Sequence, residues 1–283
     1  MKIRDKLAAE PRTFSFEFSP PRTADAVSRL FDTAERLRTL APTFVSVTYG
    51  AGGATRRNTI DVVTRLQRDL HLTAAAHLTC VGHSQGELRE ILDELVGRGI
   101  ENLMLLRGDP PRDQPSFVAP PDGFANAWQL VRLAKGAGDF SIGVAGYPES
   151  HQECIDPQRD LEHLKRKVDS GADFVVTQLF FVNDDYFSFI ARAHALGIRC
   201  RIIPGIMPAL SWPQIQRMAK LCGASIPRAL ARDLEAAGDD RARSERIGIA
   251  WATAQCEDLL RRGAPGIHLY TLNQSREIGR AHV

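Results

Sequence analysis

The chain has 283 residues, of which 43% are apolar and 25% charged, with 36 Lys and Arg set against 34 Asp and Glu. That composition excludes a disordered chain, and a net charge of +2 is too small for the basic field that nucleic-acid or anionic-membrane binding needs, so the expected partner is a small molecule. The opening segment MKIRDKLAAEPR is charged from its second residue, and no stretch approaches the roughly 18 uninterrupted apolar residues of a membrane span, which predicts a soluble cytoplasmic protein.

In chain order, short β-branched or aromatic runs alternate with longer amphipathic stretches. Eight runs read as strands: 13–18, 44–49, 73–80, 102–106, 141–147, 174–180, 200–206 and 266–272. Helical spacing follows between them, as in 24–40 with Val27, Leu30, Ala34 and Leu37, and in 160–170 with Leu161, Leu164 and Val168. The strand runs are almost continuously apolar (NLMLL, IGVAGY, FVVTQLFF), which suits parallel strands covered on both faces. Eight βα units in this length predict a (β/α)8 TIM barrel forming a single domain over 1–283. The rival, a doubly wound open sheet, usually carries a Gly-rich phosphate turn after its first strand, and FSFEFSPPRT offers none. The segment 227–262 is long for one barrel helix, so an extra short helix is expected over 227–236, with Gly238–Asp240 as the turn before the last barrel helix. The five cysteines (Cys80, Cys154, Cys200, Cys222, Cys256) are odd in number, widely spaced and without a C-x-x-C pair, so reduced thiols are expected.

A barrel places its chemistry at the C-terminal ends of its strands. Here those ends carry Glu17, Thr48 and Tyr49, His77 and Thr79, Arg107–Gly108–Asp109, Tyr147 with Glu149 and His151, Gln178, and Thr271 with Asn273, while the remaining strand ends in a Pro204–Gly205 bend. Glu17 stands between Phe16 and Phe18, a setting expected to desolvate the carboxylate and raise its pKa toward that of a general acid; the plainer alternative is a buried Glu paired for structure. His77 reads equally as a ligand-binding or a satisfied core histidine. In LLRGDP the glycine permits close backbone approach to a ligand, although a simple Arg107–Asp109 pair also fits. Beyond the fifth strand, His163, Arg166 and Lys167 share a helix face beside Asp160, a pattern that suits a diphosphate or a solvated surface. Metal hydrolysis is disfavoured by the lack of H-x-H and of a tight cluster among the eight histidines, and Schiff-base chemistry by the absence of Lys from every strand run. A non-catalytic binding barrel would not explain Glu17.

The motifs FSFEFSPPRT, FVSVTYGAGG, AAAHLTC, LLRGDPP, VAGYPESH, DLEHLKRKVDSGADFVVTQLFF, IIPGIMP and HLYTLN occur in this order between Phe14 and Asn273. On these residues the chain resembles the short bacterial form of the methylenetetrahydrofolate reductase family. The resemblance implies an FAD-dependent oxidoreductase of one-carbon metabolism, acting on a CH–NH bond. Such an enzyme converts 5,10-methylenetetrahydrofolate to 5-methyltetrahydrofolate with NADH or NADPH as co-substrate, working as a homo-oligomer without metal, nucleic acid or membrane. A flavin-free reductase and a folate- or flavin-binding barrel without turnover are the alternatives. It further implies that Glu17 is the general acid and Asp109 tunes the flavin. Thr48, Tyr49, Ala51, His77, Arg107, Gly108, Asp109, Ala127, Tyr147, His151, Asp160, His163, Arg166 and Lys167 match positions that hold FAD, and Gln178 and Gln214 match positions that touch folate or nicotinamide. The chain departs from the family pattern at Gln274, where most members carry Arg, at Met218, where some carry Phe, and at Asn126 and Gln129. Arg276, two residues on, either stands in for that cation in folate binding or is a solvated residue of the C-terminal tail.

Overall fold

The structure, a computed structural model, describes residues 1–21, 23–49, 56–109, 117–154 and 156–274. Its elements run α1 (Ile3–Ala9), β1 (Thr13–Phe18), α2 (Ala24–Arg38), β2 (Phe44–Val47), α3 (Arg56–Leu70), β3 (Ala74–Thr79), α4 (Gln85–Gly97), β4 (Asn102–Leu106), α5 (Ala127–Ala137), β5 (Ser141–Gly146), α6 (Pro157–Asp169), β6 (Phe174–Thr177), α7 (Asn183–Ala195), β7 (Arg201–Ile203), β8 (Gly205–Ile206), α8 (Trp212–Cys222), α9 (Arg228–Ala237), α10 (Arg241–Arg261) and β9 (Gly266–Tyr270). The strands form one sheet in the order β7-β6-β5-β4-β3-β2-β1-β9-β8, every pairing parallel. The two ends of that order are one barrel strand interrupted at Pro204, which has no N–H for the ladder. β7 pairs with β6 and β8 with β9, so the chain itself closes the (β/α)8 barrel.

The break is supported locally. The Gly205 amide donates to Thr177 Oγ1 (2.9 Å), and the His268 amide donates to the Pro204 carbonyl (2.9 Å). A Cβ at position 205 would lie 2.3 Å from the Thr177 carbonyl oxygen and 2.7 Å from the Tyr270 ring, so only glycine fits this crossing. The expected short helix is present as α9, followed by the turn at Gly238 and by Asp240, whose carboxylate accepts from the Arg243 amide to cap α10. The predicted runs overshoot the ladder at 48–49 and 178–180: Thr48, Tyr49 and Gln178 leave the sheet to line the mouth of the barrel, while Leu179 and Phe180 turn into apolar clusters.

Alternation along the strands sorts the core into two compartments. Outward residues such as Phe16, Phe18, Val45, Leu78, Leu103 and Val144 pack under the helices. Inward residues Phe44, Ala75, Met104, Phe174, Val176 and Ile203 fill the barrel floor together with Ile3 and Leu7. Helix α1 is therefore the bottom plug, a role that its short, charged sequence does not announce. Its first amides are satisfied by strand-start side chains, Ile3 N–H donating to Asn102 Oδ1 (2.7 Å) and Arg4 N–H to Ser141 Oγ (2.9 Å). Asp139 draws in both Lys2 and Arg4 from below. With the floor sealed by apolar side chains, polar groups collect at the opposite rim. Among the described residues no helix is long and apolar enough to cross a membrane.

Candidate active site at the barrel mouth

Ser15 and Glu17 lie on the inward face of β1, and the register sets Ser15 beside His268 and Glu17 between Ser46 and Tyr270. Phe16 and Phe18 point the other way, into the layer under the helices. The sequence neighbours that suggested an apolar pocket for Glu17 are thus not its spatial neighbours. Its carboxylate instead faces two imidazoles, with His77 Nε2 at 3.4 Å and His268 Nε2 at 3.6 Å from Oε2.

This corrects the expected raised pKa. Burial alone pushes the Glu17 carboxyl up, but the approach of His268, the positive potential of both imidazoles and the Ser46 hydroxyl outweigh it and hold the group below its ordinary value. For His77 burial dominates over the attraction of Glu17, so its pKa falls and the ring is neutral at neutral pH. His268 Nδ1 lies 2.7 Å from Ser15 Oγ and the ring stacks on Phe44. A Ser15 hydroxyl donating to Nδ1 leaves the ring proton on Nε2, facing Glu17.

Above Glu17 opens an inner basin of about 290 Å³ that holds, of the predicted residues, Glu17, Thr48, Tyr49, His77, Arg107, Gly108, Asp109, Tyr147, His151 and Gln178. It continues past Arg107, Tyr147 and His151 into an outer groove of about 490 Å³ between the ends of β4 and β5 and helices α5 and α6, which adds Ala127, Asp160, His163 and Lys167. Each volume is of the order of an ordinary small-molecule site, and their continuity suits an elongated ligand. In the basin the buried Thr79 Oγ1 has no hydrogen-bond partner among the described residues, His77 Nε2 faces the Glu17 carboxylate without a well-formed hydrogen bond, and a Cβ on Gly108 would fall 2.5 Å from Val81 Cγ1.

The groove wall comes from α6. Asp156 caps the helix by accepting from the Gln158 amide (2.9 Å), and Pro157 occupies its first turn, so the helix begins at the rim. Leu161 and Leu164 are buried, while Asp160, His163 and Lys167 line the groove. Lys167 Nζ donates to the Ala145 carbonyl (2.5 Å), and burial lowers its pKa to about 8 against the opposing charge of Asp160. Burial likewise raises Asp160 and lowers His151 and His163.

The remaining predicted residues are placed elsewhere. Arg166 is exposed and borders a separate groove with Trp128 and Arg132, so it does not share the groove face of His163 and Lys167. Gln214 Oε1 accepts from the Leu210 amide at the start of α8, and Met218 packs in an apolar cluster with Tyr270. Gln274 is exposed and its amide donates to Thr271. Ala51 and Arg276 lie outside the described residues. Sequence reasoning passed over His268, Tyr270 and Glu153. The first two carry a signal, since alternation in HLYTLN puts both on one strand face; Glu153, in an irregular loop, carries none. Among the described residues no three His, Cys, Asp or Glu side chains could hold a metal ion.

Comparison with known proteins places this geometry in context. The uncharacterised Clostridium thermocellum protein that binds two copies of 5-methyl-5,6,7,8-tetrahydrofolic acid superposes with a TM-score of 0.66 at 17% identity, covering 99% of this chain and 96% of that one, a likeness of fold. Oxaloacetate acetylhydrolase shares the fold more distantly, with a TM-score of 0.55 at 10% identity over 98% of this chain and 82% of that one. In sequence, methylenetetrahydrofolate reductase (NADH) 1 of Arabidopsis thaliana is 40% identical over 96% of this chain, which spans about half (49%) of the plant protein. The 5,10-methylenetetrahydrofolate reductase of Escherichia coli K12 is 38% identical over 92% of this chain and 86% of its own length. The family model for methylenetetrahydrofolate reductase matches residues 2–280, and with it the chain that carries this mouth belongs to the methylenetetrahydrofolate reductase family.

Proposed function

We propose that the protein reduces 5,10-methylenetetrahydrofolate to 5-methyltetrahydrofolate with electrons from NADH or NADPH, using FAD held across the basin and groove. The observation that carries this reading is the single continuous site in which a buried carboxylate, Glu17, shares a basin with Arg107, Tyr147 and His151, and the basin runs on into a groove lined by His163 and Lys167. The residues present fit a dinucleotide. Thr79 Oγ1 and the His77 ring offer hydrogen bonds to a polar ring, Arg107 and Lys167 supply cations for a diphosphate, and His163 adds a hydrogen-bonding group beside them. FAD, when bound, supplies hydride transfer between nicotinamide and folate.

The chain's own residues supply position and the proton. Opening the five-membered ring of the folate requires protonation of a ring nitrogen, and Glu17 is the acid in the basin for that step. In the ligand-free protein the group is ionised, held so by His268, His77 and Ser46. A flat ligand covering the basin removes the solvent that reaches its 18% exposed side chain and raises its pKa, so that the carboxylate takes up a proton from water as the ligand settles and can then act as the general acid. Once the proton has passed to the substrate, the carboxylate stands next to the cationic carbon–nitrogen centre that results and stabilises it.

An absorbance spectrum of the purified chain tests the cofactor, with flavin bands expected near roughly 380 and 450 nm. A colourless protein fully active without added FAD would refute it. Rapid mixing tests the acid: Glu17→Gln is expected to lower folate reduction by about 100-fold or more while the nicotinamide half-reaction persists. Equal loss in both halves would assign Glu17 a structural role instead.

A further inference from the structure

Arg107 lines both chambers, and in the ligand-free protein its guanidinium is already engaged. Nη1 donates to Glu153 Oε2 (2.5 Å) and Nη2 to Glu153 Oε1 (2.9 Å), the paired geometry with which arginine also grips phosphate, while Nε donates to the Gly108 carbonyl (3.3 Å). Phe117 lies against the guanidinium at 4.8 Å. The carboxylate is not there by the chance reach of a loose side chain. Its own amide donates to His151 Nδ1 (3.1 Å), the preceding Gln152 donates to the Lys220 carbonyl at the end of α8 (2.7 Å), and Glu149 accepts from the Ser225 amide (2.8 Å). The loop between β5 and α6 is thereby fastened to α8 on one side and to the site wall on the other, and it delivers Glu153 to Arg107.

The two partners differ in exposure. The Arg107 side chain is 23% exposed and that of Glu153 48%, so solvent can receive the carboxylate if it lets go while the cation stays in the wall. Asp109 and Tyr147 also act on Arg107 through space, but among the described residues Glu153 is the carboxylate in salt-bridge contact with it; Asp156, Arg159, Asp160, His151, His163 and Lys167, which line the same groove, are not.

We propose that Glu153 is a competing internal anion that occupies Arg107 until a phosphate-bearing ligand displaces it, and so tempers the affinity of the groove for such ligands. This rests on the nucleotide reading of the groove. A neutral ligand leaves the pair intact, whereas a diphosphate exchanges with the carboxylate, which swings into solvent. The exchange lowers the affinity of phosphate-bearing ligands alone, and Arg107 stays folded against the wall between ligands. A positioning role for Glu153, in which the carboxylate holds Arg107 for the ligand, predicts the opposite sign in binding.

The test uses the full chain freed of bound nucleotide by dialysis, with FAD, ADP and riboflavin as probes. Flavin fluorescence follows FAD and riboflavin, and calorimetry follows ADP. Glu153→Gln is expected to bind FAD and ADP about fivefold more tightly, the equivalent of roughly 1 kcal/mol for one partly exposed ion pair, and riboflavin unchanged. Glu153→Ala should repeat the result, and adding Arg107→Ala should abolish the gain. Weaker or unchanged FAD and ADP binding in Glu153→Gln would overturn the proposal, as would an equal gain with riboflavin. Wild-type chain that binds neither FAD nor ADP would overturn the nucleotide reading as well, so the two failures are distinguishable.

Discussion

Gly108 offers a sharp test of whether the mouth is packed as described. Its φ of +90° is one that side-chain-bearing residues rarely adopt, and a Cβ there would meet Val81 Cγ1 at 2.5 Å and Thr79 Cβ at 2.9 Å. Forcing alanine into a left-handed backbone costs about 1–2 kcal/mol, and overpacking of this kind adds about 1–3 kcal/mol. The two together set Gly108→Ala at roughly 3 kcal/mol, and for a chain of this size that lowers Tm by roughly 6–12 °C. The displaced Thr79 also borders the basin, so the flavin content of the purified variant should fall in parallel. Gly97 is the control. It ends α4, and nothing lies within 4 Å of the place a methyl group would take there, so Gly97→Ala should be neutral or stabilising by about 0.5–1 kcal/mol. Thermal melts by circular dichroism on the wild type and both variants decide the matter. A Gly108→Ala protein melting within about 2 °C of wild type would refute the packing argument.

Two further outcomes concern the floor and the imidazoles. Ile3→Ala removes a fully buried side chain from the barrel plug and should cost about 2–4 kcal/mol in urea unfolding; a loss below about 1 kcal/mol would show that α1 is dispensable to the floor. The pH dependence of stability follows in part from His77, whose folded pKa lies below its ordinary 6.5 because of burial, with His151 and His163 lowered in the same direction. As pH falls below about 6.5 the unfolded chain takes up a proton that the folded chain refuses, so stability declines; the lowered Glu17 adds a second loss in the same direction once pH falls below about 4.5. Urea midpoints at pH 7.5, 6 and 5 should therefore decrease, and His77→Gln should partly flatten the change between pH 6.5 and 5; an unaltered slope in that variant would remove His77 as a cause.

What the residues reveal on their own is what depends on near neighbours in the chain. Runs such as NLMLL and FVVT are apolar on both faces, which only a strand covered on both sides can use, and eight of them alternating with amphipathic helices leave the closed barrel as the economical solution. The extra helix α9 and its Gly238–Asp240 turn were readable for the same reason, because helix length and turn chemistry are local. That the polar strand ends would share one rim was readable because the barrel collects them there whatever their order.

The chemistry at that rim was decided by tertiary contacts. Phe16 and Phe18 flank Glu17 in the chain but face away from it, since successive side chains of a strand point to opposite sides. Its acidity is governed instead by His77 on β3 and His268 on β9, brought to within 4 Å by closure of the barrel. Arg107 acquires Glu153 through a loop whose shape is set by anchors on α8, and Arg166 parts company with His163 and Lys167 because α5 packs beside α6 and splits the helix surface between two grooves. A seven-residue helix with only Ile3 and Leu7 buried becomes the barrel floor because the strands leave an apolar opening of that size. Local pattern can say which residues prefer burial or water, but a charge responds to whatever stands within a few ångströms, and in a barrel those neighbours come from distant parts of the chain.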